Sequence, residues 1–177
     1  MRVFFAILVL STVGCLGATT ARAQTSFTAS ELCAKPDPQL IIPVGDRPGH
    51  ALGLLHFKCQ WTTPMQIGSD ASKDAEDVET IEINGNVQRA NGWHMTTMQS
   101  GDKVFVSYWG KETLKDGALV GSKGTWAFTG GTGTLTGVMG KGTYGCASSA
   151  DGVRCDVEGS YELTVSRTIK KYPYHPQ

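Results

Sequence analysis

The sequence predicts an all-β protein, an antiparallel barrel or sandwich, on three observations. Apolar and polar residues alternate from Val153 to Val165, which is typical of a strand with one buried face. Several other short segments of strand-like composition follow one another, separated by turns that contain glycine. The run from Phe128 to Gly140 carries five glycines, which favour tight turns and bends between strands.

The strands can be assigned in chain order. The first clear strand, Gly53–Trp61, has an apolar face, whereas residues 62–77 are polar and acidic and are predicted to form a loop. The Asn84-Gly85 pair is a strong hairpin signal. The remaining predicted strands are Val78–Ile83, Trp93–Met98, Lys103–Trp109, a short strand before Lys115, Gly124–Phe128, Val138–Ser148 and Val153–Val165.

The glycine-rich run lacks the spacing of a phosphate-binding loop. Thr136 stands where a dinucleotide-binding fingerprint would need glycine, and a strand-like segment follows instead of a helix. Lys141 is followed by Gly142, whereas a P-loop needs serine or threonine there. The run therefore predicts turns. Gly140 and Gly142 share the parity of the inward-facing Tyr144, so we expect them to leave room inside a curved sheet or to let it bend.

Four cysteines follow the N-terminal segment, an even number that predicts two disulfides in an exported chain. The alternation points Cys155 inward, and if Ser148 faces Val153 across the turn, Cys146 faces Cys155 directly. The sequence therefore predicts Cys146–Cys155 and, by subtraction, Cys33–Cys59. No Cys-x-x-Cys or His-x-His spacing supports a metal site instead, so we expect no bound metal.

Residues 1–23 have the pattern of a secretory signal peptide. A basic start at Met1-Arg2 and a mostly apolar run over residues 3–17 precede the small-x-small sequence Ala21-Arg22-Ala23. The apolar run is shorter than the ~20 residues that a membrane-spanning helix needs. We therefore expect a periplasmic or secreted protein with no membrane insertion after cleavage. Lipidation at Cys15 is disfavoured, because Thr12 replaces the leucine expected three residues earlier.

Residues 24–171 are expected to form one barrel domain, and residues 172–177 a loose tail. Cleavage removes two arginines and no acidic residue, which leaves a net charge of about −2. Nothing forms a basic stripe, so the charge argues against nucleic-acid binding. The sequence contains no recognisable cofactor motif, and we expect no cofactor.

The stretch Phe128-Thr-Gly-Gly-Thr-Gly-Thr-Leu-Thr-Gly-Val-Met-Gly resembles the glycine-rich motif of allene oxide cyclases and, more loosely, that of plant dirigent proteins. With the preceding strands, the resemblance covers residues 104–144. It implies an eight-stranded antiparallel barrel of calycin type with a central apolar cavity and often a trimeric assembly. No catalytic residue of these families can be matched to this chain, so the resemblance assigns no catalytic residue.

Several side chains are candidates for lining such a cavity. Glu79 shares parity with Ile81 and Ile83, which points its carboxyl inward, although its place near a strand start favours solvent at the barrel mouth. His94 is an acid–base candidate whose direction the sequence leaves undecided, and a structural histidine is the commoner case. The candidate ligand-binding aromatic residues, which are equally compatible with an ordinary core, are Tyr108, Trp126, Tyr144 and Tyr161.

Two functions are compatible with these observations. The first is an exported barrel that binds a small apolar molecule, or serves as a stable scaffold without a ligand. The second is an isomerase or cyclase whose cavity holds an unsaturated substrate in a reactive conformation, with Glu79 or His94 as weak catalytic candidates. Lys103–Trp109 is apolar on both faces, so we also expect its outer face to be covered, most naturally by a second subunit in a dimer or trimer.

Overall fold

The computed structural model describes residues 24–164, which form strands and one short 3-10 helix. The predicted signal peptide, residues 1–23, and the predicted C-terminal tail, residues 172–177, lie outside the described residues. The elements are β1 (Thr25–Cys33), β2 (Gln39–Pro43), β3 (His50–Thr63), β4 (Gln66–Ile67), β5 (Asp70–Asn84), β6 (Val87–Met98), β7 (Lys103–Lys115), β8 (Ala118–Gly131), the 3-10 helix (Gly133–Leu135), β9 (Val138–Ser149) and β10 (Gly152–Leu163).

Eight of these strands close into an antiparallel barrel, as predicted. The order around the barrel is β3, β1, β10, β9, β8, β7, β6 and β5, and β5 pairs with β3 to complete the ring. One edge of β3 is shared by two strands, because β1 pairs with its end at residues 59–63 and β2 with residues 51–55. The strands are long and joined in antiparallel succession, so inward and outward side chains alternate on every wall.

Strand β5 begins at Asp70, so the prediction of a loop over residues 62–77 is wrong for its second half. Ser72 and Ala75 are buried, while Lys73 and Glu76 are exposed, with a register shift against β6 between residues 72 and 74. The charged composition of this segment therefore belongs to the outer face of a strand. The expected strands Gly53–Trp61 and Val78–Ile83 are present as the inner parts of β3 and β5.

Both predicted disulfides are confirmed. Cys33–Cys59 joins β1 to β3, and Cys146–Cys155 joins β9 to β10. In each pair the two cysteines lie directly opposite each other in the strand register, with Cα–Cα distances of 3.9 and 4.1 Å. Two disulfides are consistent with an oxidising compartment.

The glycine-rich run forms the connection from β8 to β9, as its composition predicted. Gly130, Gly133 and Gly137 have positive φ angles, a backbone conformation that glycine adopts without steric cost. The 3-10 helix between them turns Leu135 into one end of the barrel, where its side chain is 1% exposed. The glycine-rich run, for which the sequence predicts only turns, thus supplies Leu135 to the core.

One end of the barrel is closed by packed apolar side chains, which we call the apolar plug. Leu135 meets Ile67, which β4 brings in and which is also 1% exposed. The buried members of the plug are Ala29, Met65, Ile67, Met98, Val104, Leu135, Val138 and Tyr161.

No helix among residues 24–164 is long and apolar enough to cross a bilayer.

Candidate functional site

A cavity of about 110 Å³ lies inside the barrel, next to the apolar plug. The rings of Trp126, Phe128 and Tyr144 line it from β8 and β9, and Phe27 extends this aromatic surface from β1. Strands β5, β6 and β7 present polar side chains to the same space. The two surfaces give the cavity an aromatic side and a titratable side, which is the usual composition of a small-molecule site.

Inward-facing glycines let the aromatic side chains lie flat against the barrel wall. Gly92 is the register partner of Tyr108, and a Cβ there would lie 2.2 Å from the tyrosine Cζ. Gly142 is the partner of Trp126, and a Cβ there would lie 2.7 Å from the indole Cζ2. Each ring therefore covers a glycine of the neighbouring strand, and the centre of the barrel keeps free space.

Five side chains on the titratable side form a connected chain, which we call the polar row: Glu31, His94, Asp77, Tyr108 and Glu79. His94 Nδ1 lies 3.2 Å from Asp77 Oδ2, and His94 Nε2 lies 3.5 Å from Glu31 Oε2. The Tyr108 hydroxyl lies 2.8 Å from Asp77 Oδ1 and 2.9 Å from Glu79 Oε2. The row joins β1, β5, β6 and β7, so its geometry depends on the closed barrel.

The contacts of Tyr108 place one phenol hydrogen between two carboxyl groups. The Tyr108 hydroxyl lies within hydrogen-bond distance of both and can donate its single hydrogen to one of them at a time. A proton on the other carboxyl would satisfy the second contact. Burial, the nearby Glu112 and Asp77 raise the pKa of Glu79 to about 8, against the lowering effect of the Tyr108 hydrogen bond. Glu79 is thus the group that carries the proton at neutral pH.

His94 is charged at neutral pH despite its burial. Burial lowers the pKa of an imidazole, but the charge of Glu31 and the hydrogen bond and charge of Asp77 outweigh it and raise the pKa of His94 to about 9. Burial raises the pKa of Glu31 above its usual range, which the His94 charge partly opposes. The pKa of Tyr108 is also raised, chiefly by burial, so the phenol stays protonated. The cavity therefore offers proton donors and acceptors within one chain of contacts.

A second buried polar pair lies beyond the row. Gln88 Nε2 donates a hydrogen bond to Glu112 Oε2, and both side chains are buried. Burial raises the pKa of Glu112, and the Glu112 charge in turn raises the pKa of Glu79. Protonation of these two carboxyls is therefore linked.

Several buried polar atoms around the cavity have no hydrogen-bond partner among the described residues. Glu31 Oε2 and His94 Nε2 belong to the polar row, and Thr96 Oγ1 lies one inward position from His94. Each of these three side chains is at most 8% exposed and lines the cavity. Such an atom costs about 1–3 kcal/mol when it is left unpaired. Trp61 Nε1 and Tyr144 OH, from two further lining residues, are also unpaired.

The structure brings together most of the residues that the sequence nominated. Glu79 is 6% exposed inside the barrel, so the expectation that it meets solvent at the mouth is wrong, because β5 continues well beyond it at both ends. His94 also points inward, in a polar chain with Glu79. Tyr108, Trp126 and Tyr144 line the cavity, whereas Tyr161 belongs to the apolar plug and accepts a hydrogen bond from Gly68 N. Ligand binding by these residues stays a prediction.

Sequence reasoning missed Glu31, Asp77, Gln88 and Glu112. Two of them had a usable signal, because Glu31 has the parity of Cys33, and Asp77 has that of Glu79. Asp77 was hidden by its assignment to a loop. Glu112 lies in β7, in a part that was predicted as a separate short strand and whose inward face the sequence did not define.

Glu31, Cys33 and Cys59 bring one carboxylate oxygen and two sulfurs within 4.8 Å of one another. Metal binding by cysteine needs the thiolate. The two sulfurs are joined in a disulfide, so they are not available as thiolate ligands in the oxidised protein. Glu31 and Cys33 of this cluster line the cavity.

The outer face of β6 and β7 carries two exposed indoles. Trp93 is 60% and Trp109 63% exposed, and Phe105 is 36% exposed on the same face of β7. The outer face of Lys103–Trp109 is thus apolar, as expected from the sequence. A covering subunit stays a prediction.

The comparisons with known proteins concern the fold. No protein-family model matches the chain, and no curated protein matches its sequence. A pterocarpan synthase dirigent protein has a similar structure, with a TM-score of 0.51 and 13% identity over 86% of this chain and 92% of that chain. A conserved protein of unknown function from Rhodopseudomonas palustris has a TM-score of 0.47 and 10% identity, over 81% and 100%. At this identity the likeness to the dirigent protein shows the barrel fold alone.

Proposed function

We propose that this barrel binds a small, mostly apolar molecule in its central cavity. The observation that carries the proposal is the set of unpaired, buried polar atoms beside an aromatic surface. A ligand that forms hydrogen bonds with Glu31, His94 or Thr96 would remove the free-energy cost of leaving these buried atoms unpaired. The aromatic rings would take up its apolar part.

A pure scaffold would not need this arrangement. Its interior would be more stable if the lumen were filled with apolar side chains, as it is in the plug, because buried carboxyls and unpaired polar atoms are costly. The polar row keeps five titratable groups in contact with one another inside the barrel. Such groups in a cleft favour a functional site.

The test is a cavity-filling variant with a matched control. Val157 lines the cavity, so Val157→Phe should fill it, whereas Val78→Phe places the same extra volume on the outer face, where Val78 is 42% exposed. We expect benzyl alcohol to shift the amide and indole NMR signals of cavity residues in the wild type and in Val78→Phe, and not in Val157→Phe. Equal shifts in all three proteins, or none in any, would contradict the proposal.

A second candidate function is an isomerase or cyclase that holds an unsaturated small molecule in a reactive conformation. The observation that favours it is the hydrogen-bonded series of Glu79, Tyr108, Asp77 and His94, in which three contacts join a neutral carboxyl to a charged imidazole. These groups could donate and accept a proton at one bound molecule. The resemblance of the glycine-rich run to allene oxide cyclases adds an expectation of the same kind.

This second proposal is tested with a molecule recovered from the protein itself. We expect the compound released on denaturation to differ from its precursor by rearrangement alone, at equal mass. Glu79→Gln should then slow the conversion at least tenfold while the molecule still binds, and Glu82→Gln, on the outer face of the same strand, should not. Unchanged turnover in Glu79→Gln would remove the acid–base role.

A further inference from the structure

We infer that the molecule bound in the cavity is a small organic cation, an ammonium group on an apolar body. The inference rests on the proposed binding function and specifies the chemistry of its ligand. It follows from the sign of the charges around the cavity, from a free acceptor at its wall and from the aromatic surface beside them.

The first argument is the charge of the lining. Three carboxyl groups line the cavity, those of Glu31, Asp77 and Glu79, against one imidazole, that of His94. Among the described residues, no lysine or arginine lines it. Glu79 holds a proton at neutral pH, but it can ionise beside a bound cation, whereas no lining group except His94 can carry a positive charge beside a bound anion. A carboxylate or phosphate ligand would find one cationic donor, His94 Nε2, and would have to approach it beside the Glu31 carboxyl, whose Oε2 lies 3.5 Å from that nitrogen.

The second argument is an acceptor without a donor. Glu31 Oε2 is buried, faces the cavity and has no hydrogen-bond partner among the described residues. Its contact with His94 Nε2 at 3.5 Å is long for a charge-assisted hydrogen bond, which is usually about 2.7–2.9 Å. An ammonium group carries several N–H donors on one atom and would satisfy this oxygen.

The third argument is the surface next to these carboxyls. Phe27, two inward positions from Glu31 on β1, packs against Trp126 with ring centroids 5.6 Å apart, and Trp126 packs against Phe128 at 5.0 Å. Aromatic faces bind the apolar part of an amine and also attract its positive charge. Aromatic rings with a nearby carboxylate are a suitable environment for an organic ammonium ion.

The geometry favours an organic cation over a metal ion. Among residues 24–164, the one group of three potential ligand atoms within 4.8 Å of one another is Glu31 with the two disulfide sulfurs. The carboxyls of the polar row lie along a line of contacts and do not converge on one point. A divalent ion needs several oxygens around a single centre.

Binding of an ammonium ion should release a proton. Glu79 holds a proton at neutral pH, and a positive charge nearby favours the ionised carboxylate. Affinity for an ammonium ligand should therefore rise with pH up to about 8, where Glu79 already ionises in the free protein. The polar and titratable side chains that face this region are Glu31 of β1, Asp77 and Glu79 of β5, Gln88 and His94 of β6, Tyr108 and Glu112 of β7, Ser122 of β8 and Tyr144 of β9.

The test compares three probes of one shape and different charge: benzylammonium, benzyl alcohol and benzoate. Titration calorimetry at pH 7 in phosphate and in Tris buffer gives both the dissociation constant and the number of protons released. We expect benzylammonium to bind at least tenfold more tightly than benzyl alcohol and to release a proton, and benzoate not to bind. Glu31→Gln should abolish the preference for benzylammonium, while Glu76→Gln, an exposed carboxyl on β5, should keep it.

Each outcome separates this inference from the proposed function. Binding of benzyl alcohol with equal or weaker binding of benzylammonium overturns the cation inference and leaves small-molecule binding in place. Binding of none of the three probes, with wild type and Val157→Phe indistinguishable, overturns both. If Glu31→Gln fails to fold, as judged by circular dichroism, the proton release of the wild-type protein still decides, because a neutral ligand releases none.

Discussion

The two parts of the barrel interior, the apolar plug and the cavity section, differ in composition and in how they are stabilised. The apolar plug packs Leu135, Ile67 and their neighbours to near-complete burial with hardly any polar side chain. The adjacent cavity section holds the polar row and unpaired polar atoms, and its walls are crosslinked by both disulfides. Close packing of apolar side chains stabilises the plug, whereas the cavity section is less closely packed and is crosslinked by the two disulfides. This difference is typical of a protein whose stable scaffold carries a costly site.

The largest expected loss of stability follows from removal of the disulfides that crosslink the cavity section. Replacing Cys33 and Cys59 together by alanine opens a span of 26 residues and should cost about 3.5 kcal/mol of unfolding free energy, by the entropy of loop closure. The same change at Cys146 and Cys155, whose span is 9 residues, should cost about 2.6 kcal/mol. Urea unfolding of the two double variants measures both. A smaller loss from the longer span would contradict the account of the disulfides.

Next in size is the packing of the plug. Leu135→Ala should lower the unfolding free energy by about 3 kcal/mol, because it leaves a void at a side chain that is 1% exposed. Met139→Ala, on the outer face where Met139 is 50% exposed, should change it by less than about 0.5 kcal/mol. Thermal and urea unfolding of both variants provide the comparison. Equal losses would show that the plug is not a packed core.

The pH dependence of stability tests the cavity section alone. Glu79, with its pKa raised to about 8, binds a proton in the folded protein that the unfolded chain releases above its ordinary pKa of 4.5. His94 stabilises the fold fully below pH 6.5, and that stabilisation is lost as the pH rises through its folded pKa of about 9. Each extra proton makes stability fall by about 1.4 kcal/mol per pH unit.

The fall should therefore be steepest between pH 6.5 and 8, where both groups contribute. Urea unfolding at half-unit steps from pH 5 to 9.5 measures it. Stability that is flat or rising across this window would show that the row does not hold these protons.

The smallest effect is expected for Glu79→Gln. The amide keeps a donor for the Tyr108 oxygen and needs no proton, so the variant should match wild type within about 1 kcal/mol at pH 6 and be the more stable protein above pH 8. Glu82→Gln, 40% exposed at its side chain on the same strand, should follow the wild-type curve throughout. A Glu79→Gln variant that is less stable than wild type at pH 9 would contradict the assignment of the proton to Glu79.

The crosslinks were more predictable from sequence than the site. Alternation in β10 and a turn at residues 149–152 were enough to place Cys146 opposite Cys155, because strand register follows from local pattern and turn length. The same alternation pointed Glu79 inward. It could not show the depth of Glu79 in the barrel, since that depends on how far β5 extends beyond the segment that looks like a strand.

The polar row was out of reach for a different reason. Its contacts join β1, β5, β6 and β7, and Glu31 and His94 are 63 positions apart in the chain. Local patterns report which face a residue occupies, whereas contact across a barrel depends on strand tilt and closure. Asp77 is the register partner of His94 across the β5–β6 hairpin, whereas Glu31 had the right parity but reaches His94 only in the closed barrel.

The measurement that tests the central claim most directly is native mass spectrometry of the protein purified from its native host, run beside Val157→Phe. The account predicts that each wild-type chain carries one small molecule, which is released on denaturation, and that the Val157→Phe variant carries none. Wild-type protein that is as empty as Val157→Phe, and that takes up none of the three benzyl probes when they are added, would contradict it.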